Sequence, residues 1–446
     1  MKKYILLAAC CLAITPLWAL DPLFVNAVQP PKGCIDKDIT NEELSLQDLL
    51  QISICTNPSL SAQYMGVKAA EARLGTGRAE YLPTITVTGN ANITGDRLEG
   101  QDHYVQTEPY AAAAKAEWLL FDFGGRESRS SSLKAYFEAA NYSYNAALHD
   151  LMLSVQTAYL NLLAAQESLV SAKASLDTYK QSYDEAQKRY KLGMVSLSDK
   201  LQAKTRYEQA VLSVVLAENK VKQFSGSLAV LLNLTPTTSL RMISPQFEKD
   251  STEIETDDVN VLLKEALANR PELRAQESNE KAAKANLQTA RSSIFPSISA
   301  NAATTLNDTS WKHDTLYKRN NTAGLAVIWP LFTGFSTMYQ VQSASNEYKQ
   351  VQRTTEGLRL AIQNEVWSNY QNYKTAVRAY EISKTVLESA EENHRVAFRY
   401  YEVGKTDIIS LLSAVAQLAN ARQNKITAFY DLLLSKANLY RSIGKN

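Results

Sequence analysis

Few residues in this chain have the types and spacing that catalysis or cofactor binding requires. Its four histidines are isolated from one another: His103, His149, His313 and His394. Cys34 and Cys55 have no histidine within metal-ligand spacing. Gly75-Thr76-Gly77 lacks the preceding strand that a dinucleotide site needs, and no Gly-x-Ser-x-Gly motif or phosphate-cradling loop occurs. We therefore expect no catalytic site, no bound metal and no cofactor.

The composition narrows the class of protein. With 47 basic and 46 acidic side chains the net charge is +1, so the basic surplus typical of nucleic-acid binders is missing. All 12 prolines lie at or before Pro330, and none falls between Pro109 and Pro236. No glycine occurs between Gly125 and Gly193. This distribution predicts long uninterrupted helices rather than a compact α/β enzyme, because proline and glycine are the residues that break helices.

The N-terminus has the features of an export signal. Two lysines precede an apolar run that ends near Leu20, and the small residue Ala19 marks a cleavage site, so residues 1–19 are predicted to be a secretory signal peptide. Lipoprotein-type cleavage before Cys10 would leave an apolar core of only about four to six residues against the ~7–15 needed. Lipidation is therefore the less favoured alternative.

Two cysteines follow the signal peptide, Cys34 in an N-terminal segment (20–45) and Cys55 in the first helical segment. In an oxidising periplasm, two cysteines this close in sequence favour a disulfide. Such a bond would stabilise the fold by about 3 kcal/mol in the chain-entropy model. The alternative is a pair of unpaired buried thiols.

The chain after the N-terminal segment is a tandem duplication. Shifted by 213 residues, Asn57-Pro58 falls on Arg270-Pro271, and Leu82-Pro83 falls on Phe295-Pro296. At a shift of 211 the matches continue through a tryptophan, a Leu-Phe pair and a Tyr-x-x-Gly sequence in each copy. The predicted organisation is repeat 1 at 46–233, a linker at 234–258 and repeat 2 at 259–444.

Each repeat is predicted to have one opening helix followed by two strands. From Thr84 to Thr94, apolar or small residues alternate with threonine and asparagine, as in a strand with lipid on one face and water on the other. Trp118 and Trp329 stand at matching strand ends, where membrane-interface aromatics lie. A half-buried soluble hairpin explains the alternation alone about as well. The predicted strands are 84–95, 110–121, 297–306 and 322–332, with polar loops at 96–109 and 307–321.

A very long helix and then another helix complete each repeat. Val155 and Leu162 belong to a seam that recurs every seven residues, beside a second seam rich in small residues, which predicts left-handed supercoiling. The first long helix, from Arg126 to Leu192, has 67 residues and would form a rod of about 100 Å. Gly193 and Gly404 then allow a sharp reversal of the chain.

The strands also bear on the oligomeric state. No segment after residue 20 reaches the ~18 apolar residues of a membrane helix, so a membrane-spanning form must use strands. Four strands cannot close a barrel, and open strand edges are not tolerated in lipid. Three copies would supply 12 strands, an even number within the range of outer-membrane barrels. The membrane interpretation therefore requires oligomers, most simply a homotrimer.

Together these features resemble the TolC family of outer-membrane efflux and secretion channels. The motifs that carry the resemblance are Leu46…Asn57-Pro58, Leu82-Pro83, Trp118-Leu-Leu-Phe-Asp-Phe-Gly124, Arg189-Tyr-Lys-Leu-Gly193 and Tyr400-Tyr-Glu-Val-Gly404. The resemblance implies a mainly α fold with a small β part. Long coiled-coil hairpins would form a trimeric α-barrel across the periplasm, and four strands per chain would enter a 12-stranded transmembrane β-barrel.

The resemblance also implies a function and partners. The protein would be a passive export duct in contact with outer-membrane lipid, serving a tripartite efflux pump or a type I secretion system. Its helix tips would dock with a periplasmic adaptor (membrane fusion) protein and an inner-membrane pump. Two alternatives stay open: a soluble periplasmic coiled-coil scaffold, and the adaptor itself, for whose extra all-β domains this chain has too few strands.

The same resemblance points to a gate at the helix tips. In the family, the tunnel closes at its periplasmic end through bonds between a tyrosine, an arginine and an aspartate. Tyr401 matches the tyrosine and Asp199 matches the aspartate. Thr406 occupies the arginine position, with Lys405 beside it, so this part of the pattern is missing.

The acidic residues of the gate also differ. Many members have two acidic rings where this chain has Ser410 and Ser413, so a cation-selective gate is not expected to carry over unchanged. Asp199 and Asp407 are the candidate replacements. The alternative is that both carboxylates only favour their helix N-termini electrostatically.

Overall fold

The computed structural model describes residues 43–96, 105–238, 240–242, 258–311 and 314–445. The predicted signal peptide, Cys34 and most of the linker lie outside the described residues. The described chain divides into two compact units. We call residues 66–141 and 275–355 the sheet unit, and residues 43–65, 142–274 and 356–445 the tip unit.

Eight helices are present in the described part of the chain, and the last four repeat the order of the first four. They are α1 (Leu46–Thr56), α2 (Pro58–Ala79), α3 (Gly125–Lys191), α4 (Leu197–Leu231), α5 (Val259–Asn269), α6 (Pro271–Ser292), α7 (Ser336–Glu402) and α8 (Ile408–Ile443). The long helices α3 and α7 have 67 residues each, as the missing helix breakers predict. Within the described ranges, no helix combines the length and the hydropathy needed to cross a membrane.

The opening of each repeat differs from the prediction of a single helix. Two helices are present instead, and they divide at Asn57 and at Arg270. Both residues are extended, with ψ of 119° and 120°, because a following proline disfavours the helical conformation. Asn57 then caps α2 through its Oδ1, which accepts from the backbone N–H groups of Ser59 and Leu60 at 3.0 and 3.2 Å.

Seven strands occur in the described residues: β1 (Glu43–Leu44), β2 (Thr84–Ala91), β3 (Thr94–Asp96), β4 (Val105–Phe121), β5 (Arg241–Met242), β6 (Ser297–Trp311) and β7 (Asp314–Ile328). β2, β4, β6 and β7 form one antiparallel sheet in that order, and β3 continues the line of β2 along β4. β1 pairs in parallel with β5, so the N-terminal segment joins the linker, a pairing that sequence reasoning did not foresee.

The predicted loop at 307–321 is wrong over most of its length, and the predicted loop at 96–109 is wrong at Asp96 and from Val105 to Pro109, while residues 97–104 lie outside the described residues. β4 begins at Val105, β6 continues to Trp311, and β7 covers residues 314–321 but ends at Ile328 rather than at 332. Polar side chains favour a loop when only the sequence is considered, yet ladder hydrogen bonds come from the backbone and do not depend on them. The strand stops before Pro330 because proline cannot donate to a ladder.

The observed register gathers the alternating residues of all four main strands onto two distinct faces. Ile85 lies opposite Ala116, which lies opposite Ala302, and Val87 lies opposite Ala114. Lys115 and Glu117 lie on the other face among threonines and asparagines, with Nζ and Oε2 2.8 Å apart. Near Trp118 and Trp329 one face of the sheet is therefore apolar and the other polar, and Thr304, Asn321 and Arg319 continue the first face farther along the strands.

Several positions of the predicted heptad seams are buried in the tip unit. Val155 and Leu162 of α3 are 0% and 1% exposed, and Ile362 and Val366 of α7 are 2% and 0% exposed. The α7 pair packs in a cluster with side chains of α5 and α8, among them Leu262, Leu432 and Leu439. The heptad spacing thus identified core positions of both long helices.

An ionic network around two buried arginines, Arg270 and Arg441, also lies in the tip unit. Arg441 of α8 donates from Nε and Nη2 to Asp150 Oδ1 of α3, at 2.9 and 2.6 Å, and it also pairs with Glu272 of α6. Glu272 accepts from Arg270 Nε at 3.4 Å, and Arg270 pairs in addition with Glu365 of α7. The network therefore ties α3, α6, α7 and α8 together next to the end of α5.

Candidate functional site at the helix tips

Each long helix reverses into the next through a glycine in the left-handed conformation. Gly193 has φ of 71° and Gly404 has φ of 73°. In the first reversal, Gly193 N–H donates to the Tyr190 carbonyl at 3.0 Å, and Met194 N–H donates to the Arg189 carbonyl at 2.9 Å. This pair of bonds is the Schellman motif, and repeat 2 forms the same pair after α7. The two predicted reversals at these glycines are therefore built alike.

The helices that follow begin with the same two residue types in exchanged positions. Ser196 caps α4, and its hydroxyl accepts from Asp199 N–H at 3.1 Å while Asp199 Oδ2 accepts from Ser196 N–H at 3.1 Å. Asp407 caps α8, and its Oδ1 accepts from Ser410 N–H at 2.7 Å. Both predicted gate acids thus bind the first turn of their own helix, where a negative charge is favoured.

These bonds favour the plainer interpretation of the two aspartates. Hydrogen bonds from Ser410 hold the pKa of the Asp407 carboxyl below its ordinary value, so this exposed group is ionised throughout the neutral range. Ser410 and Ser413 are exposed on α8, and Thr406 is half-buried. None of these three side chains adds a charge at the tip.

Tyr401 lies at the centre of the tip and is 1% exposed. It packs in a cluster whose other buried members are Ala186, Ala203, Ile408, Leu411, Leu412 and Val415. Its hydroxyl is buried without a hydrogen-bond partner among the described residues, and burial raises its pKa. The tyrosine–aspartate bond that the resemblance implies is therefore not formed within this chain, where Asp199 is engaged with Ser196 instead.

Tyr401 also contacts a charged side chain, Arg189, which sequence reasoning did not place at the gate. Its guanidinium carbon lies 4.6 Å from the centroid of the Tyr401 ring, and its Nη2 donates to the Glu402 carbonyl. Its Nε lies 3.3 Å from Glu185 Oε1. Arg189 is only 8% exposed. One feature of the sequence could have indicated this role: Arg189 stands one position before the heptad-seam residue Tyr190, in the last turn of a long helix.

The equivalent tyrosine of repeat 1 is arranged differently. Tyr190 corresponds to Tyr401 in the duplication but is 37% exposed, and Lys200 Nζ lies 5.1 Å from its ring centroid. Tyr400 corresponds to Arg189, so repeat 2 has no cation at this position. The two tips of the chain are therefore similar in backbone and different in side-chain packing.

The remaining predicted site residues are not members of this cluster. Trp118 Nε1 donates to the Tyr81 carbonyl at 3.0 Å, and Trp329 Nε1 donates to the Ile294 carbonyl at 3.2 Å, so both tryptophans are held in the same way at the ends of the sheet. Cys55 is disulfide-bonded. Its predicted partner Cys34 is outside the described residues, and the pairing stays a prediction.

Comparison with known proteins identifies relatives along almost the whole chain. The model of the family "Outer membrane efflux protein" matches residues 49–234 and 262–445. Protein CyaE of Bordetella pertussis is 25% identical over 396 residues, which cover 86% of this chain and 81% of that protein. Outer membrane protein TolC of Escherichia coli is 22% identical over 414 residues, which cover 90% and 82%. The solved outer-membrane channel OprN has a similar fold, with a TM-score of 0.79 at 21% identity over 94% of this chain and 98% of that chain.

Proposed function

Because the chain belongs to the outer membrane efflux protein family, we propose that it is the passive exit duct of a tripartite efflux pump or of a type I secretion system. The protein is an outer-membrane efflux channel of the TolC type with a periplasmic helical tunnel. Its family consists of channel proteins rather than enzymes. Both alternatives considered from the sequence, the soluble scaffold and the adaptor, conflict with this membership.

The proposal rests on the sheet, because the apolar side chains on one of its faces are exposed in a single chain. Ile85, Val87 and Leu325 are 75%, 77% and 72% exposed on that face. An apolar surface of this kind is stable against lipid and unfavourable in water. The opposite face carries hydroxyls, amides and the Lys115–Glu117 pair, which suit a water-filled interior.

The two outer strands of the sheet support assembly with further copies. β2 and β7 each have a neighbour on one side only within the described residues. An unpaired edge cannot remain in lipid, because its backbone groups would have no hydrogen-bond partner. β7 of one copy pairing with β2 of the next would satisfy both edges, and three copies would close a ring of 12 main strands.

The duplication also specifies how those edges would pair. Within the chain, β4 of repeat 1 pairs with β6 of repeat 2, and Lys115 lies opposite Ala303. β7 is the repeat-2 equivalent of β4, at a shift of 211 residues, and β2 is the repeat-1 equivalent of β6, at a shift of 213 residues. Lys115 therefore corresponds to Ala326, and Ala303 corresponds to Asn90. The same pairing between copies places Ala326 of one copy opposite Asn90 of the next. Both of these residues lie on the polar face, so the register preserves the division between faces.

The helix tips would then be the docking region for the adaptor protein and the inner-membrane pump. The long helices end at the reversals at Gly193 and Gly404, and these are the segments that we expect a periplasmic partner to contact. The pump would supply the energy, and the duct would supply a path for small molecules or proteins.

Reconstitution into a planar lipid bilayer tests the proposed function. Protein extracted from the outer-membrane fraction with detergent should produce discrete conductance steps, because a closed ring of strands leaves a water-filled interior. Protein that leaves the membrane fraction with salt alone, and that gives no steps at any concentration, would refute the duct and favour the soluble scaffold.

A further inference from the structure

Three polar residues interrupt the apolar face of the sheet at the end farther from the tryptophans. They are Thr304 of β6 and Asn321 and Arg319 of β7, and we call them the polar patch. Thr304 lies directly opposite Asn321, and its Oγ1 donates to Asn321 Oδ1 at 2.8 Å. Asn321 and Arg319 are exposed. Because Asn321 accepts this bond through its oxygen, its Nδ2 group and the Arg319 guanidinium both present hydrogen-bond donors on this face.

The spacing along β7 indicates where the polar patch would lie in the membrane. Arg319 precedes Trp329 by ten residues, which is about 34 Å of strand. Strands of this class tilt by about 40°, so the two residues would differ in height by roughly 26 Å, close to the ~25 Å of an apolar band. Trp329 would mark the periplasmic edge of the band, because α7 begins just beyond it at Ser336. Arg319 would therefore lie at the opposite edge, in the outer leaflet.

The chemistry of the polar patch suits an anionic headgroup. The guanidinium of Arg319 is a planar fork of donors that matches a phosphate group bidentately. Leu306 lies directly opposite Arg319 and is 54% exposed, so apolar surface is available for the stem of the arginine while its charged end extends to the headgroups. The phosphate of a lipid headgroup is the anion expected at this edge of the band.

The polar patch belongs to repeat 2 alone. At the shift of 211 residues, Asn321 corresponds to Tyr110 and Arg319 corresponds to Glu108, so repeat 1 has neither the amide nor the cation. Each copy of the chain therefore has one polar patch. The alternative partner for Arg319 within the chain is Asp308, which the register places two residues beyond Leu306 on the neighbouring strand.

Resting on the proposed function, we propose that the polar patch binds the phosphate of a lipid headgroup in the outer leaflet. The Arg319 guanidinium is the anion-binding group, and the Asn321 amide is a second donor. Thr304 is a positioning residue, because its bond to Asn321 Oδ1 fixes which end of the amide remains for the ligand. Three copies in a closed ring would hold three such lipids.

Native mass spectrometry of the detergent-solubilised oligomer, titrated with lipid A as the phosphorylated probe, tests the proposal. Arg319→Ala should weaken lipid A binding on the order of tenfold, because charge-assisted hydrogen bonds to the phosphate are lost. Arg319→Lys should keep most of the affinity, because it keeps the charge. Alanine is tolerated better than arginine on a lipid face, so Arg319→Ala should still assemble. Lipid A without its phosphates should bind weakly to every variant, and inorganic phosphate should not displace intact lipid A.

Two further variants control for position and for the alternative partner. Lys318→Ala removes a cation from the next residue of β7, which is exposed on the opposite face and lies opposite Asn307. It should bind lipid A like the wild type, because that face is turned to water in the proposed duct. Asp308→Asn should bind at least as tightly as the wild type, because the phosphate needs no carboxylate. A tenfold loss in Asp308→Asn would overturn the direct contact between Arg319 and phosphate.

The outcomes distinguish this inference from the proposed function. Equal lipid A binding by the wild-type and Arg319→Ala oligomers, or equal binding of lipid A with and without its phosphates, would overturn the phosphate site and leave the duct intact. Binding that is lost in Lys318→Ala and kept in Arg319→Ala would place lipid on the other face of the sheet and overturn the duct as well.

Discussion

The substitution Ala114→Arg is expected to remove the detergent-extractable oligomer from the outer-membrane fraction. Ala114 lies midway between Tyr110 and Trp118 on the apolar face of the sheet, opposite Val87 and Thr304. An arginine on the lipid face near the bilayer midplane costs about 2–4 kcal/mol, and a trimer would carry it three times. The measurement is the yield of oligomer in washed outer membranes, compared with the wild type by immunoblotting.

Ala113→Arg is the matched control for this experiment. Ala113 is the preceding residue of the same strand and lies on the polar face, opposite Thr88 and Thr305. The same side chain should be tolerated there because it would face water. Equal yields of the two variants would contradict the assignment of lipid to the face that contains Ile85 and Val87.

Arg441→Ala is expected to be the most destabilising of the ion-pair changes considered for the tip unit. Truncation leaves the Glu272 carboxylate, whose side chain is 25% exposed, without its main partner, and it removes both bonds to Asp150. Glu272 keeps Arg270 as a partner and is partly open to water, so the loss is expected to be about 1–3 kcal/mol, below the cost of breaking a fully buried pair. The free energy of unfolding, from urea titration of the detergent-solubilised protein followed by circular dichroism, measures the loss.

Lys445→Ala provides the comparison. Lys445 also forms an ion pair near the C-terminus, with Glu265 at 2.8 Å, but its side chain is 47% exposed. Exposed pairs contribute about 0–1 kcal/mol, so this variant should lose far less stability than Arg441→Ala. Similar losses in the two variants would show that burial of the Arg441 network is not the source of its stabilisation.

The Arg441 effect should also depend on pH. Burial acts to raise the pKa of Glu272, but a backbone hydrogen bond, Arg441 and Arg270 outweigh it and hold the pKa below the ordinary 4.5. A carboxylate with a lowered folded-state pKa stabilises the fold above its unfolded pKa, and this stabilisation is lost as the pH falls through the folded pKa. The difference between wild type and Arg441→Ala should therefore be largest above about pH 4.5 and shrink in stronger acid.

The long-range organisation of this chain could be predicted because it follows from periodic patterns. The lack of helix breakers between Gly125 and Gly193 identified α3 to within one residue at each end, and the duplication gave the repeated order of long helix, reversal and second helix. Alternation in β2 placed Ile85 and Val87 on one face, as the register confirms. These features depend on the spacing of apolar residues, which is visible in a single sequence.

The contacts of the tip could not be predicted in the same way. The Arg189–Tyr401 contact joins residues 212 positions apart in the chain, on two helices whose rotation about their axes no local pattern specifies. The resemblance directed attention to Thr406 and Asp199 instead. The strand ends differ from the prediction for another reason. The polar residues at 307–321 favour a loop in the sequence, whereas backbone pairing between β6 and β7 extends through most of them.

The pairing of β7 with β2 of another copy is the central claim, and a disulfide tests it most directly. Asn90→Cys combined with Ala326→Cys should give, on mild oxidation of outer membranes, a ladder of cross-linked species that ends at three chains. Directly opposed residues of antiparallel strands have Cα atoms about 4.5–5.5 Å apart, which suits a disulfide. Gly89→Cys with Ala326→Cys, which places the cysteines on opposite faces, should remain uncross-linked. A double variant of the first pair that stays monomeric under these conditions would contradict the closed ring of three copies.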